Sequence, residues 1–455
     1  MSRHAVTVVG GGLAGITAAL DCARAGAAVT LIEARGRLGG AAYSFTRGGL
    51  EVDNGQHVFL RCCTAYRGLL AEIQADPLVR LQPRLEVAVI APGGQLGRLT
   101  RGRLPAPLHL AGSLAGYPYL GWRERLALAW AMRRLAAIDT DDPANDAVPF
   151  GVWLRRQRQS ANAVDAIWEL ITRPAVNLGV TEASLAQAAQ VFQVGLLGDA
   201  AAGDIGWAAV PLSEIHDRAA RRALDRVGVS VRLRSTADAI VAEAGGFRVE
   251  LAGGDGVHAD ALVVALPPAG AERLLPPGAG MRQGFAQRLG SSAIVNLHIV
   301  YDRPVLEQAF AAAVRSPLQW LFDRSASSGL AAGQYLAVSL SAAGAELHDT
   351  AATLRERYLP AVAALLPAAR EATVEQFFVT REHAATFRAA PGARAWRPGP
   401  RTGIAAMFLA GAWTDTGWPA TMEGAVRSGH EAARAAMDAL PVSPVKAGGL
   451  VAAGP

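Results

Sequence analysis

Gly10-Gly11-Gly12-Leu13-Ala14-Gly15 is a GxGxxG run. It follows a short β-branched stretch, His4–Val9, and opens a stretch of helical periodicity, Leu13–Ala25, which ends at Gly26. Binding of a dinucleotide pyrophosphate needs such a run. Gly10 permits a tight turn, Gly12 lets the backbone approach the phosphates, and Gly15 lets helix close on strand. Leu13 and Ala14 begin a helix whose N-terminus stabilises negative charge. Glu33 follows a second strand, Ala28–Ile32, where an acid can accept hydrogen bonds from an adenosine ribose. A lone GxGxxG is weak evidence. Strand, glycine turn, helix, strand and acid together make a turn without a ligand improbable.

Three further stretches carry residue types suited to chemistry. Glu33-Ala34-Arg35-Gly36-Arg37-Leu38-Gly39-Gly40 adds a glycine pair and two arginines that simple nicotinamide enzymes do not need. Asp53-Asn54-Gly55-Gln56-His57-Val58-Phe59 contains a histidine able to donate a proton near neutral pH, or merely to order its loop. Near the other end, Leu409-Ala410-Gly411-Ala412-Trp413-Thr414-Asp415 leads to Trp418-Pro419-Ala420-Thr421-Met422-Glu423-Gly424-Ala425. There a strand runs into a turn and a new helix begins, with free N–H groups at its start.

These stretches resemble the amine oxidase and phytoene desaturase flavoprotein superfamily. The resemblance implies FAD as cofactor. It places Gly10, Gly12, Leu13, Ala14, Gly15 and Glu33 on the adenine half, with Ala34, Arg35, Arg37, Gly39 and Gly40 alongside. Gln56 and His57 are placed near the flavin ring. Gly411, Ala412, Pro419, Ala420, Thr421 and Met422 close the site, the new helix facing the pyrimidine edge. The family usually has an acid at the position of Ala412, and Asp415 is expected to substitute for it in part.

A narrower resemblance covers nearly the whole chain. Asn54–His57 with Cys62–Tyr66, Ser291–Asn296 with Asp302-Arg303-Pro304, Ser316–Trp320 and Trp418–Gly429 are similar to the hydroxysqualene dehydroxylases, squalene-associated FAD-dependent desaturases of bacterial hopanoid pathways. That resemblance implies reduction of hydroxysqualene, a C30 alcohol, to squalene. The hydroxyl must leave with the help of an acid, and reduced flavin must deliver hydride to the resulting allylic cation. His57 is the first candidate for the acid, with Asp53 and Glu423 behind it. A long apolar substrate calls for a long apolar tunnel. Candidate lining is Leu104–Met132 with Trp153, Trp168, Phe192, Trp207 and Trp320, for each of which core packing is the competing reading. Two alternatives stand beside this one: a carotenoid desaturase, and a non-catalytic isoprenoid-binding or escort protein. The sequence has no second nucleotide fingerprint, so the electron donor lies outside the chain.

The elements that position these residues follow from composition and pattern. The chain has 455 residues, more than one core usually holds, with 51% hydrophobic and 18% charged residues. The expected fold class is α/β: a Rossmann-type FAD-binding domain interleaved with an α+β substrate domain and a mostly helical, membrane-facing region. The FAD-binding parts are 1–65, 201–270 and 396–440. The helical region is 66–200, the substrate sheet and helix 271–395, and a disordered tail 441–455. Lys446 is the only lysine, which argues against Schiff-base chemistry. Cys22, Cys62 and Cys63 form no CxxC pair or metal-ligand spacing, and with no signal peptide before the first strand they suggest a reducing, cytoplasmic setting. The net charge of +5 suits an arginine-rich soluble surface or attraction to an anionic membrane. No motif points to nucleic acid. Leu104–Trp122 carries no charged residue, but its prolines and glycines exclude a stable membrane-spanning helix. It reads as a loop with short helices that buries apolar surface or dips into a membrane interface. Arg123–Ile138 reads as a core helix.

Overall fold

The computed structural model describes residues 4–441. The chain opens with β1 (Ala5–Val9), α1 (Leu13–Arg24) and β2 (Ala28–Ile32). Further along come β3 (Val58–Leu60), α2 (Thr64–Glu72), α3 (Trp122–Leu135) and β4 (Ile205–Ala208). β5 (Ser292–Tyr301), β6 (Met407–Leu409) and α4 (Met422–Ala439) complete the elements that frame the site.

β1 is a run of small and β-branched residues, and it occupies the middle of a five-stranded parallel sheet. The order is Ser230–Arg232, β2, β1, Ala261–Val264, β6. Strands buried on both faces read as continuous apolar runs, as these do. Three distant parts of the chain therefore build one Rossmann-type sheet. Gly15 shows why the first turn must be glycine: a Cβ there would sit 1.9 Å from the Gly10 carbonyl oxygen. α4 lies along α1, and Gly429 of α4 packs directly on the Ala14 backbone. The last helix is thereby fixed to the first.

A second, seven-stranded sheet runs Val374–Thr386, β5, Gln334–Ser341, Trp320–Asp323, Phe310–Ala313, Glu86–Ala91, Gln95–Thr100. It is antiparallel except where Phe310–Ala313 meets Glu86–Ala91. The last two strands come from the segment expected to be mostly helical. Glu86–Ala91 is a short apolar run, closed into a hairpin by the Pro92-Gly93-Gly94 turn. A run of that length is ambiguous between helix and strand. Val79–Leu81 is a further strand in that segment; it pairs with β4.

Leu104–Trp122 is a loop carrying a helical turn, Leu108–Leu110, and a short helix, Ala111–Ala115. α3 departs from expectation. It buries Leu128, Ala131 and Leu135 but turns Trp122, Leu126 and Trp130 outward. Among the described residues no helix is long and apolar enough to cross a membrane. Beyond Pro441 the expected tail lies outside the described residues.

Candidate active site

α1 starts at Gly12 without a side-chain cap, so its first N–H groups have no side-chain acceptor. Glu33 fastens the turn before it: Gly11 N donates to Oε2 at 2.7 Å, and Arg35 N to Oε1 at 2.7 Å. Each carboxylate oxygen keeps capacity to accept another bond. The Gly39-Gly40 segment folds back on this turn. Gly39 N donates to Gly11 O at 2.9 Å, and a Cβ on Gly40 would lie 2.8 Å from Gly12 Cα. Two backbones thus meet with no side chain between them.

Arg37 lies beside this glycine contact. Its guanidinium stacks 3.4 Å over the Tyr43 ring and donates to Gly40 O at 3.1 Å. Its Nη2 is buried with no partner. Burial lowers its pKa. A buried donor without an acceptor is costly, so this atom calls for an anionic or polar ligand. Ala34 and Arg35 are exposed.

At the other end of the chain, β6 pairs with Ala261–Val264 and delivers Gly411, whose N–H donates to Ser428 Oγ at 2.8 Å. Thr421 caps α4 through Gly424 N at 3.2 Å. Sequence reasoning missed Arg397. It is buried and donates to Thr414 O at 2.6 Å, Trp418 O at 2.7 Å and Trp413 O at 3.3 Å. Burial pushes its pKa down to about 10. It shapes the whole Trp413–Trp418 turn that leads to Pro419 and Ala420. Asp415, the acid expected to substitute at Ala412, pairs with Arg394 at 3.3 Å through one oxygen.

Between the two sheets lies the Asp53–His57 turn. Asp53 forms a buried ion pair with Arg324 and also accepts from Ser44 Oγ at 2.6 Å and Leu212 N at 3.0 Å. It joins parts of the fold, both of its oxygens being held by protein groups. Asn54 donates to Ala41 O and to Glu382 Oε1, both at 2.8 Å. Its carbonyl accepts from Asn296 Nδ2 at 3.0 Å and from Thr380 Oγ1 at 3.2 Å. Thr380 in turn bonds His298 Nε2 at 2.9 Å, and Tyr335 OH bonds His298 Nδ1 at 2.6 Å. The turn is thus pinned from β5 and from both strands beside it.

His57 Nε2, Gln56 Nε2 and Asn296 Oδ1 are buried and unpartnered. A Cβ on Gly55 would lie 3.3 Å from His57 Nε2 and 3.7 Å from Asn296 Nδ2, so the two side chains converge there. Burial, and then the Arg324 charge, lower the His57 pKa to about 4. His57 is therefore neutral at pH 7 and not poised to titrate there. Glu423, the third acid candidate, is buried and caps α2. It accepts from Ala65 N at 3.1 Å, Tyr66 N at 2.7 Å and Arg427 Nε at 2.7 Å.

Asp53, Gln56, His57 and Arg324 line one side of a small cavity of about 10 Å3; Val58, Trp207, Ala208, Leu212 and Phe322 complete it. This is smaller than the roughly 300–1,000 Å3 of small-molecule sites, so the expected long tunnel is not open. Trp207, Phe310, Trp320 and Phe322 pack ring to ring where it would run. Trp153, Trp168 and Phe192 sit in a packed core with Phe150.

The family model for flavin containing amine oxidoreductases matches residues 13–437. The chain belongs to this family. Similar full-length relatives include the hydroxysqualene dehydroxylase of Rhodopseudomonas palustris, 30% identical over 94% of this chain and 97% of that protein. The hydroxysqualene dehydroxylase of Sinorhizobium fredii is 29% identical over 95% and 98%. The zeta-carotene desaturase of a Synechocystis species is 24% identical over 94% and 96%. Among solved structures, putrescine oxidase bound to putrescine superimposes with a TM-score of 0.70 at 20% identity, covering 95% of this chain and 98% of that one. Cyclohexylamine oxidase from Brevibacterium oxydans gives 0.71 at 18%, covering 96% and 99%. These two show the shared fold.

As a member of the flavin-containing amine oxidoreductases the chain is an FAD-dependent oxidoreductase, and its residues fit the cofactor. The uncapped start of α1 and the unmet Arg37 Nη2 suit the pyrophosphate, and Glu33 suits the ribose. The bare glycine contact leaves the backbone open to close approach. The Gly411–Met422 segment and the start of α4 suit the flavin end.

Proposed function

We propose that the chain converts hydroxysqualene to squalene, with loss of water. One observation carries the reading: the unmet Nε2 atoms of Gln56 and His57 belong to the polar side of a pocket whose other wall is apolar and aromatic, with Asn296 close to His57 behind it. A hydrocarbon with a single hydroxyl matches that division. Hydroxysqualene dehydroxylases related over nearly the full chain support it.

The net reaction adds one hydride and one proton to the alcohol and releases squalene and water. Reduced FAD, recharged by a donor outside the chain, supplies the hydride. The chain's own residues act on the hydroxyl. Gln56 and the neutral imidazole of His57 donate hydrogen bonds to its oxygen, and Asn296 Oδ1 accepts a hydrogen bond from its O–H, which keeps its proton. This weakens the C–O bond and orients the carbon. The proton that completes water enters from solvent through His57, whose lowered pKa makes its protonated form a strong acid. The aromatic wall excludes water from the cation left behind. Asp53–Arg324 and Asn54 hold these groups in place.

The test is anaerobic incubation of photoreduced holoenzyme with hydroxysqualene. Squalene and reoxidised flavin should appear together. No squalene with the flavin still reduced would reject the assignment and leave a lipid-binding protein. A carotenoid desaturase, the reading favoured by the zeta-carotene desaturase relatives, would instead reduce oxidised flavin on adding a carotene. A water-insoluble substrate also favours an enzyme that works at a membrane surface.

A further inference from the structure

Among the described residues, five of the eight large hydrophobic side chains that stand exposed lie within one stretch of 27 positions, 104–130, and they are the five most exposed of them. Leu104 and Leu108 belong to the proline-rich loop. Trp122, Leu126 and Trp130 are 65%, 64% and 57% exposed and fall at i, i+4 and i+8 on the outer face of α3. That spacing makes one stripe. The short helix Ala111–Ala115 joins loop to stripe by packing on α3.

The charge around the stripe has one sign. Positions 101–138 hold six arginines and a single acid, Glu124. Glu124 is occupied by Gly121 N at 2.9 Å, Ser160 Oγ at 2.5 Å and Asn162 Nδ2 at 3.0 Å. Arg103, Arg123, Arg133 and Arg134 are exposed, and none forms an ion pair among the described residues. The surface is also rigidly based. Arg101, at its start, bonds the buried Asp204 at 2.6 Å, and Asp204 also holds Arg61 at 2.8 Å, just after β3.

We infer that this face docks on an anionic lipid bilayer, with Leu104, Leu108, Trp122, Leu126 and Trp130 entering the headgroup boundary and the arginines on the phosphates. Tryptophan and leucine beside unpaired arginines are what such an interface selects. A second copy of the chain is disfavoured by the same charges: a twofold contact through this face would set arginines against arginines. The face also leads inward. The buried side of α3 shares an apolar cluster with Phe310 and Phe322, and Phe322 lines the pocket. An isoprenoid leaving the bilayer here would meet hydrocarbon the whole way, provided the proposed function is correct.

Flotation of the full-length holoenzyme with vesicles decides the matter. Vesicles of phosphatidylcholine and phosphatidylglycerol should carry the protein, pure phosphatidylcholine should carry less, and added salt should release it. The Trp122→Ser/Leu126→Ser/Trp130→Ser protein should lose at least about tenfold in vesicle binding. It should keep its FAD and still turn over detergent-dispersed hydroxysqualene. Wild-type protein that stays unbound overturns the inference, and so does a triple variant that floats equally well. A dimer that the triple variant dissolves would assign the face to a second copy and overturn it too. If the triple variant loses FAD, quenching of wild-type tryptophan fluorescence by brominated lipid decides, and no quenching overturns the inference. Vesicle binding without squalene formation would leave the docking face standing and remove the dehydroxylase reading. Turnover without vesicle binding would do the reverse.

Discussion

Asp53 and Arg324 meet at 2.6 Å with side chains only 5% and 10% exposed, joining the hairpin that follows the glycine pair to the end of a strand in the second sheet. Removing one partner of such a pair strands the other charge. Arg324→Met is expected to cost roughly 3–5 kcal/mol of unfolding free energy. The double variant Asp53→Asn/Arg324→Met should recover part of that loss. Urea unfolding of the wild type, Arg324→Met, Asp53→Asn and the double variant measures it; a double variant at the sum of the two singles would mean the two residues are not coupled.

Glu423 separates a structural reading from a catalytic one. Its oxygens cap α2 and hold Arg427. Glu423→Gln should lower stability by about 1–2 kcal/mol while the folded fraction keeps kcat within a few-fold of wild type. A general acid at this position would instead lose about 100-fold or more. Steady-state kinetics at a temperature where both proteins are folded distinguishes the two.

Three buried histidines give the stability a pH dependence of known sign. His57 and His216 are lowered to about 4 and His298 to about 3, all chiefly by burial. In the unfolded chain they titrate near the ordinary value of 6.5. Between about pH 4 and 6.5 the unfolded state therefore binds more protons than the folded one, and stability falls as pH falls through that window. Above pH 6.5 this contribution is fully present. The urea midpoint should drop between pH 7 and 5, and less steeply in His298→Gln relative to its own value at pH 7. A flat wild-type profile over that range would contradict the buried, neutral state of these rings.

What the sequence made legible depended on how locally each feature was encoded. The βαβ unit was legible because its glycines, apolar periods and Glu33 sit within 33 residues and each has a separate physical reason. β2 falls on the expected residues, and α4 begins within Trp418–Ala425, where a new helix is expected. The polar centre was harder. Asn296 and His298 lie on β5, far along the chain from Asn54, and only the pairing of β5 with its neighbours puts them under the turn. Arg397 carries no local signal, since its role comes from three carbonyls of a turn that starts sixteen residues later. Charge type alone does not separate Asp53 and Glu423 as acids from Asp53 and Glu423 as structural groups, because a carboxylate suited to acid catalysis and one suited to capping look alike in sequence. The outward stripe of α3 was hidden for a similar reason: Leu126–Met132 is apolar all round, so the pattern does not say which face is covered.

Arg37 tests the cofactor site from the N-terminal side. Its Nη2 lacks a partner, and the rest of its guanidinium is held by Tyr43 and Gly40 O. Arg37→Met should weaken FAD binding by about tenfold or more, as expected for loss of a hydrogen bond between charged groups. Titration of apoprotein with FAD, followed by flavin fluorescence, measures this. Unchanged affinity would move the pyrophosphate away from Arg37.

Ala412 gives the complementary test. The residue before it, Gly411, already has its N–H satisfied by Ser428, and the nearby acid Asp415 is paired with Arg394 through one oxygen. No unpaired carboxylate therefore stands at the end of β6 to hold a polyhydroxyl chain. Ala412 is half-buried, which leaves room for a longer side chain to reach outward. Ala412→Glu should tighten FAD binding, slow its release on dilution and raise the melting temperature of the holoenzyme but not of the apoprotein, because a ligand stabilises only the state it binds. If Ala412→Glu instead weakens FAD binding, then the turn from Gly411 to Pro419, shaped by Arg397, already fills the space an acid would need.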